Sequence, residues 1–572
     1  MSANATLGAI LLYAGSVSAL LTVPINPALA QEPEETVLRV TTRLVQVSVV
    51  AHDRGGNPVR DLTRDDFTLT DNGQPQPISV FSMQVAEPAT STSDQADTPN
   101  PLAISNRTLR ASEKPIAVTV ILFDALNIPR LDDFLYAKRE VVKFLGTLRP
   151  GDPVALYSVN GPTVRVIHDF TDDSASLVQA AQKLSQSRVM NNALAAPHFS
   201  LGADHDRTAQ LGTWLEEKSR EDEAARLRMT TEWTLTALAD VAHHLAGIPG
   251  RKSLLWISDS FPITTGLDIH SFKQGDSQRA NQQLNGFSDR ERDIGRLLTE
   301  AQVAVYPISP SGLAVDRIYG ADVSPRDAHA TIESWTQSGH MVTAGEEAEP
   351  RIAAMIELAK QTGGLAFYNR NGVFDGIQRG VEDASVSYIL GFYPSESAWD
   401  GKYHAIGIKV KRAGVEVRGR KGYFAGSEDA ESAPERDQAL RLAAASPLEG
   451  AAIGIKVNVE FNPLIWYGQD IVLMIDPRDV RFEQTNDRMR AVLDVMLVQQ
   501  DGSGRNLGGV RDTLLYALLP DSYERALSDG LFLDEKLTVL PSASRVRVVV
   551  RDVSTGAVGS VSLPVRRPDP RK

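Results

Sequence analysis

The chain of 572 residues contains no cysteine. Disulfides, thiolate nucleophiles, Cys-based zinc sites and a lipidated amino-terminal Cys are therefore excluded, and any metal site must use oxygen or imidazole ligands. Basic clusters are equally scarce. A formal net charge of −13 with no dense run of Lys and Arg argues against nucleic acid or an anionic membrane as principal partner, because both reward clustered cations. The ten histidines form no metal signature, and the adjacent pair His243 and His244 diverge by about 100° on a helix. HExxH, G-x-S-x-G and the phosphate-cradling G-x-x-x-x-G-K-[ST] are all missing.

What is present is ordinary in bulk: 42% hydrophobic and 23% charged residues, in a chain long enough for two to four domains. Apolar sequence of near-spanning length occurs only at the start. LGAILLYAGSVSALLTVPI is uncharged, and Ala28-Leu29-Ala30 before Gln31 has the small-x-small form of a signal-peptidase site. Residues 1–30 thus read as a signal peptide, which directs the protein to the periplasm or outside with no membrane span after cleavage. Nothing basic precedes the run. A retained anchor is the competing reading, weakened by Gly15, Ser16, Ser18 and Pro24.

Residues 31–84 read as a β segment. In LVQVSVVAHD, Val45, Val47 and Val49 face one way and Gln46 and Ser48 the other. FTLTDNGQPQPISVF predicts strand, turn and strand, bending at Asp71-Asn72-Gly73. Residues 85–112, rich in Ser, Thr, Pro and Ala, read as a linker. From 113 to 384, continuous apolar runs such as IAVTVILFD and KSLLWISD alternate with amphipathic helices. That alternation predicts an α/β fold, a doubly wound and mostly parallel sheet. Residues 188–228 interrupt it as a charge-dense helical excursion, and 310–348 as a long loop. Gly363-Gly364 reads as a helix stop. Strands return at 385–425 and are expected to pair with the amino-terminal segment. A second linker is expected at 426–436, then an immunoglobulin-like β-sandwich over 437–572, with DGSG and STGA as turns.

In doubly wound folds, ligands bind at the carboxyl ends of the strands. Asp124 closes the first central strand and Asp259 closes KSLLWISD. Taken with TLRPGDPVALYSV, Ser258-Asp259-Ser260, and the flanking VQVSVVAHDRGGNPVRDLTRDDFTLTDNGQPQPISVF and YILGFYP through RGRKGYF, the chain resembles the VWFA-related proteins of acidobacteria, which carry a von Willebrand factor type A domain. The resemblance spans roughly residues 37–425. It implies the fold and export; because no nucleophile–base pair or complete ligand set can be read, the expected role is non-catalytic binding of a protein or cell-envelope partner. It also implies a Mg²⁺ site of Asp-x-Ser-x-Ser, a Thr and a second Asp. Asp124 and Asp259 match the two acids, but Leu126 and Ile128 stand at the serine positions, and the Thr falls at Thr230 or Thr231. Such a site is degenerate, with weak Mg²⁺ affinity at most.

Other readings stay open at this stage. Asp124 could cap local backbone N–H groups, while Asn127, Asp132 and Asp133 offer replacement oxygens. A metal-dependent hydrolase using Asp124 and Asp259, and a purely structural envelope module, are the alternatives to a binding role. The basic stretch Lys409, Lys411, Arg412, Arg418, Arg420 and Lys421 reads as a solvated sheet face. Aromatics at 256, 306, 368, 388, 392 and 393 read as core.

Overall fold

The computed structural model describes residues 44–85, 103–107, 117–149, 151–186, 207–259, 261, 290–311, 344–368, 372–394, 402–425, 432–462 and 468–565. The signal peptide expected over 1–30 lies outside them, as do most of the 310–348 loop, residues 426–431 and Ser260.

The chain begins with strands β1 (Val45–Asp53), β2 (Phe67–Asp71), β3 (Gln74–Gln76), β4 (Val80–Val85) and β5 (Ala103–Ser105). In β1, Val45, Val47 and Val49 are buried and Gln46 is exposed, as the period of two dictates. β2 and β3 form a hairpin whose two turn residues, Asn72 and Gly73, both take positive φ (46° and 82°). A two-residue turn of the primed type needs that geometry, and Asn-Gly supplies it at least cost.

Five strands then build one mixed sheet: β6 (Val118–Asp124), β7 (Val154–Val159), β8 (Val164–Thr171), β9 (Lys252–Ile257) and β10 (Val303–Ile308), in the order β10-β9-β6-β7-β8. Its helices are α1 (Leu131–Leu145), α2 (Ser174–Ala181), α3 (Arg207–Leu245), α4 (residues 290–300), α5 (Ala344–Thr362) and α6 (Val373–Ser385). β6 shows why its sequence is apolar throughout. Val118, Val120 and Leu122 pack with α3, α4 and α5 on one face, while Ile121 and Phe123 pack with α1, α2 and α6 on the other. Full burial of each such side chain contributes about 1.5–3 kcal/mol. α5 stops at Gly363, whose φ of 77° suits only glycine at low cost. The next residue, Gly364, lies so close to the Val305 carbonyl that a Cβ would sit 1.9 Å from its oxygen.

β11 (Val386–Phe392), β12 (Tyr403–Val410), β13 (Val415–Gly419) and β14 (Gly422–Phe424) return to the amino-terminal strands. Two antiparallel sheets result, β13-β1-β11-β4 and β14-β12-β2-β3, over a shared core that includes Val47, Leu69, Tyr388 and Ile406. Asp383, fully buried at the end of α6, ties this pair to the mixed sheet. It meets His52 at 3.1 Å, Arg418 at 2.5 Å and the Tyr306 hydroxyl at 2.8 Å.

The last region comprises α7 (Ala433–Ala445), β15 (Ile455–Asn462), β16 (Gly468–Ile475), β17 (Glu483–Thr485), β18 (Arg488–Gln500), β19 (Asn506–Leu518), α8 (Pro520–Asp529), β20 (Leu531–Thr538), β21 (Arg545–Asp552) and β22 (Val558–Pro564). Sheets β20-β16-β15-β5 and β17-β18-β21-β22, with β19 on β18, enclose one core.

Three sequence expectations are corrected here. First, the fold class is not a doubly wound, mostly parallel α/β protein. Among the described residues four sheets are antiparallel throughout, and the mixed sheet itself ends in the antiparallel pair β7–β8. Continuous apolar runs report burial on both faces but not the direction of a neighbouring strand, and the alternating strands outnumber them. Second, residues 85–112 are not all linker: β5 pairs with β15, and Asn106 donates to the carbonyls of Gly450 and Ile453. Third, the 426–436 linker ends early. Ser432 and Glu435 form a capping box that starts α7 at Ala433.

Candidate functional site

The carboxyl ends of β6 and β9 lie side by side, in the register Leu122–Trp256 and Phe123–Ile257. Alternation then sends Asp124, Trp256 and Ser258 to the face that α3 covers. Asp124 is fully buried there. Its Oδ2 accepts from the Asn127 side-chain nitrogen at 2.7 Å, from Ser258 Oγ at 3.1 Å and from Trp256 Nε1 at 3.2 Å. Its Oδ1 accepts from the backbone N–H groups of Leu126 (3.2 Å) and Asn127 (3.3 Å). Burial pushes the Asp124 carboxyl up to about 6, and the Asn127, Trp256 and Ser258 donors oppose that rise. At neutral pH it is an anion held entirely by neutral dipoles.

Asn127 has a second task. The same side-chain nitrogen donates to Thr234 Oγ1 on α3 at 2.9 Å. A carboxylate can only accept, so the amide must present its nitrogen to Asp124, and its two protons then serve Asp124 and Thr234. The Asn127 backbone carbonyl accepts from Asp259 N at 3.3 Å. One residue therefore fastens the loop after β6 to α3 and to the loop after β9.

Asp259 belongs to a separate, more open cluster. Its Oδ1 accepts from Ser309 at 3.1 Å and, at closer range, from Ser311, which also lies 3.4 Å from Asp133 Oδ2. Burial raises the Asp133 carboxyl and the charge of Asp259 raises it further; Arg130, 3.6 Å away, opposes both. Leu131 and Leu135, one turn apart on α1 and about half exposed, lie on the side of the helix opposite Asp133.

The arrangement does not fit Mg²⁺. Five donors converge on Asp124, which has about four lone-pair directions to offer. Leu126 and Ile128 are buried hydrocarbon, and Asn127 brings a donor, not the replacement oxygen the sequence suggested. Thr230 and Thr231 both bond back to the Leu227 carbonyl within α3, and it is Thr234 that reaches the rim. Asp124 and Asp259 are joined through the Asn127 backbone and share no donor among the described residues. Asp132 is exposed on the first turn of α1.

The remaining candidates are placed as follows. His243 is half-buried and held down to about 4, chiefly by desolvation, while His244 points elsewhere, its Nδ1 2.7 Å from the Glu449 carbonyl. Lys411, Arg412, Arg418 and Arg420 all pair within the fold, with Asp65, Asp61, Asp383 and Gln46 respectively. Trp256, Tyr306, Tyr388 and Phe392 are fully buried, whereas Tyr368 and Tyr393 are exposed. Sequence reasoning missed Thr234, Ser309 and Ser311 as rim groups. Thr234 is one helical turn from Thr230, which was the available signal.

No family model and no curated protein matches the chain. Among solved structures it is similar to a Pseudomonas fluorescens alkylpurine DNA glycosylase, AlkC, bound to DNA containing an abasic site analog. That similarity has 10% identity, covers 78% of this chain and 99% of that chain, and has a TM-score of 0.15. At that score the likeness carries no argument.

Proposed function

We propose that this is an exported, non-catalytic interaction protein that docks another protein or a cell-envelope component on the rim at Asp133, Asp259 and Ser311. One observation carries the reading: Asp124, the acid best placed for chemistry, spends both oxygens holding the rim together. What the rim leaves open is a pair of carboxylates, Asp133 and Asp259, about the Ser311 hydroxyl. Two open carboxylates without a nucleophile between them suit recognition of a polar or basic partner surface better than bond breaking. A hydrolytic role for Asp124 and Asp259 gains nothing from their geometry, because each is committed to a different set of donors. Export rests on the signal-peptide reading of residues 1–30. No helix among the described residues is long and apolar enough to cross a membrane.

The test is a photo-crosslinking side chain at position 130 of the full chain, where the exposed Arg130 lies 3.6 Å from Asp133, with envelope extract added with and without chelator. The account expects a discrete crosslinked partner, indifferent to chelator and lost in Asp133→Ala/Asp259→Ala. Crosslinks obtained only from a probe at Leu515, on the exposed face of β19, would favour the structural-module reading instead.

A further inference from the structure

A cavity of about 160 Å³ opens away from the rim, where α4 and the end of α5 meet β1 and the β12–β14 strands. It is several times the roughly 10–15 Å³ that a single water requires. Two guanidinium groups, Arg296 and Arg420, line it against one carboxylate, Glu300. Arg296 reaches Asp293 and Glu300 only at 3.9 Å, beyond hydrogen-bond range. Arg420 donates from Nη2 to the Gln46 carbonyl at 2.5 Å, and its buried Nε has no hydrogen-bond partner. Burial pulls Arg420 down to about 10, so it remains a cation at neutral pH. The other walls join Leu44, Val45 and the Tyr403 ring with two neutral polar side chains, Thr299 and Gln361.

We propose that this cavity binds a small organic monocarboxylate, with its carboxylate beside Arg296 and Arg420 and its apolar body against Leu44, Val45 and Tyr403. Glu300 in the lining and Asp293 just outside it both offset the two guanidinium groups, so the site has too little positive charge for a phosphate dianion and suits at most one carboxylate. The largely apolar lining rewards a ligand with a hydrocarbon part over a bare inorganic ion. Gly422 keeps the wall thin, since a Cβ there would lie 2.3 Å from the Tyr403 ring.

Isothermal titration of the full chain with propionate, benzoate and phenylacetate tests this, with benzamide and inorganic phosphate as controls. At least one carboxylate should saturate while benzamide does not. Arg296→Ala, on the solvent side of α4, should weaken that binding about tenfold, the usual effect of losing a charge-assisted hydrogen bond. Tyr403→Ala should also weaken it. Three results would overturn the proposal: no carboxylate saturates up to tens of millimolar, binding is equal in Arg296→Ala, or phosphate binds more tightly than every carboxylate.

Discussion

The side-chain nitrogen of Asn127 stands 2.9 Å from Thr234 Oγ1 while donating to Asp124 at 2.7 Å. A strand-end carboxylate and a helix hydroxyl are thereby bridged by a neutral amide. Asn127→Ala should cost about 1–3 kcal/mol, because it strips a donor from a buried carboxylate and leaves Thr234 without it. Denaturant titration checks the magnitude. Hydrogen exchange in the variant should quicken at the backbone N–H groups of Leu126 and position 127 before it quickens in β6 itself.

Trp256 supplies the donor that is hardest to replace. Its ring is fully buried and meets Phe261 edge-on at 5.1 Å, so Trp256→Phe keeps most of the packing and removes Nε1. The substitution should raise the Asp124 pKa above about 6, since one interaction favouring the anion is gone. Carboxyl ¹³C chemical shifts followed from pH 4 to 8 would show the displaced titration. An unmoved midpoint would deny Trp256 that role.

Asp383 is perturbed in the opposite direction. Against the cost of burial, the His52 hydrogen bond and the nearby Arg418 and Arg251 hold it down to about 2. A depressed carboxyl contributes stability that is complete above the unfolded-state value and is lost as pH falls from about 4 toward 2. Asp383→Asn should remove that acid dependence. It should also destabilise by about 1–3 kcal/mol, because it leaves the partly buried Arg418 without its counter-charge and removes an ionised acceptor.

Asp240, buried on α3, makes the reverse case. Burial lifts it to about 7, against a Ser446 hydrogen bond and Arg547. A raised carboxyl stabilises most below the unfolded-state value, and that contribution is lost as pH rises through about 4 to 7. Asp240→Asn should therefore gain stability relative to the parent at pH 8 compared with pH 5. The gain is bounded at about 4 kcal/mol. Melting temperatures at the two pH values decide it; an identical difference at both would remove burial as the cause.

The sequence made the elements more legible than their assembly. The alternation of VQVSVVAHD and the apolar run of VTVILFD mark β1 and β6 because burial writes itself into side-chain period. Strand direction leaves no such mark, so the apolar runs of one mixed sheet suggest a parallel class that the protein as a whole does not have. β5 was hidden for another reason: three residues inside a Ser/Thr/Pro-rich stretch carry too little period to read, and their strand identity comes from β15. At the site, Asp124 stood out as a carboxylate closing an apolar run. The roles of Asn127 and Thr234 did not, because a side-chain amide reads equally as donor or acceptor until its neighbours are placed.

The most direct measurement is a Mn²⁺ titration of the full chain, read by electron paramagnetic resonance and by melting temperature, alongside Asp124→Asn and Asn127→Asp. If internal donors satisfy Asp124, the parent shows no Asp124-dependent binding, while Asn127→Asp, which sets a second carboxylate in place of the amide, gains a metal-dependent rise in melting temperature. Stoichiometric binding by the parent that disappears in Asp124→Asn would contradict the account.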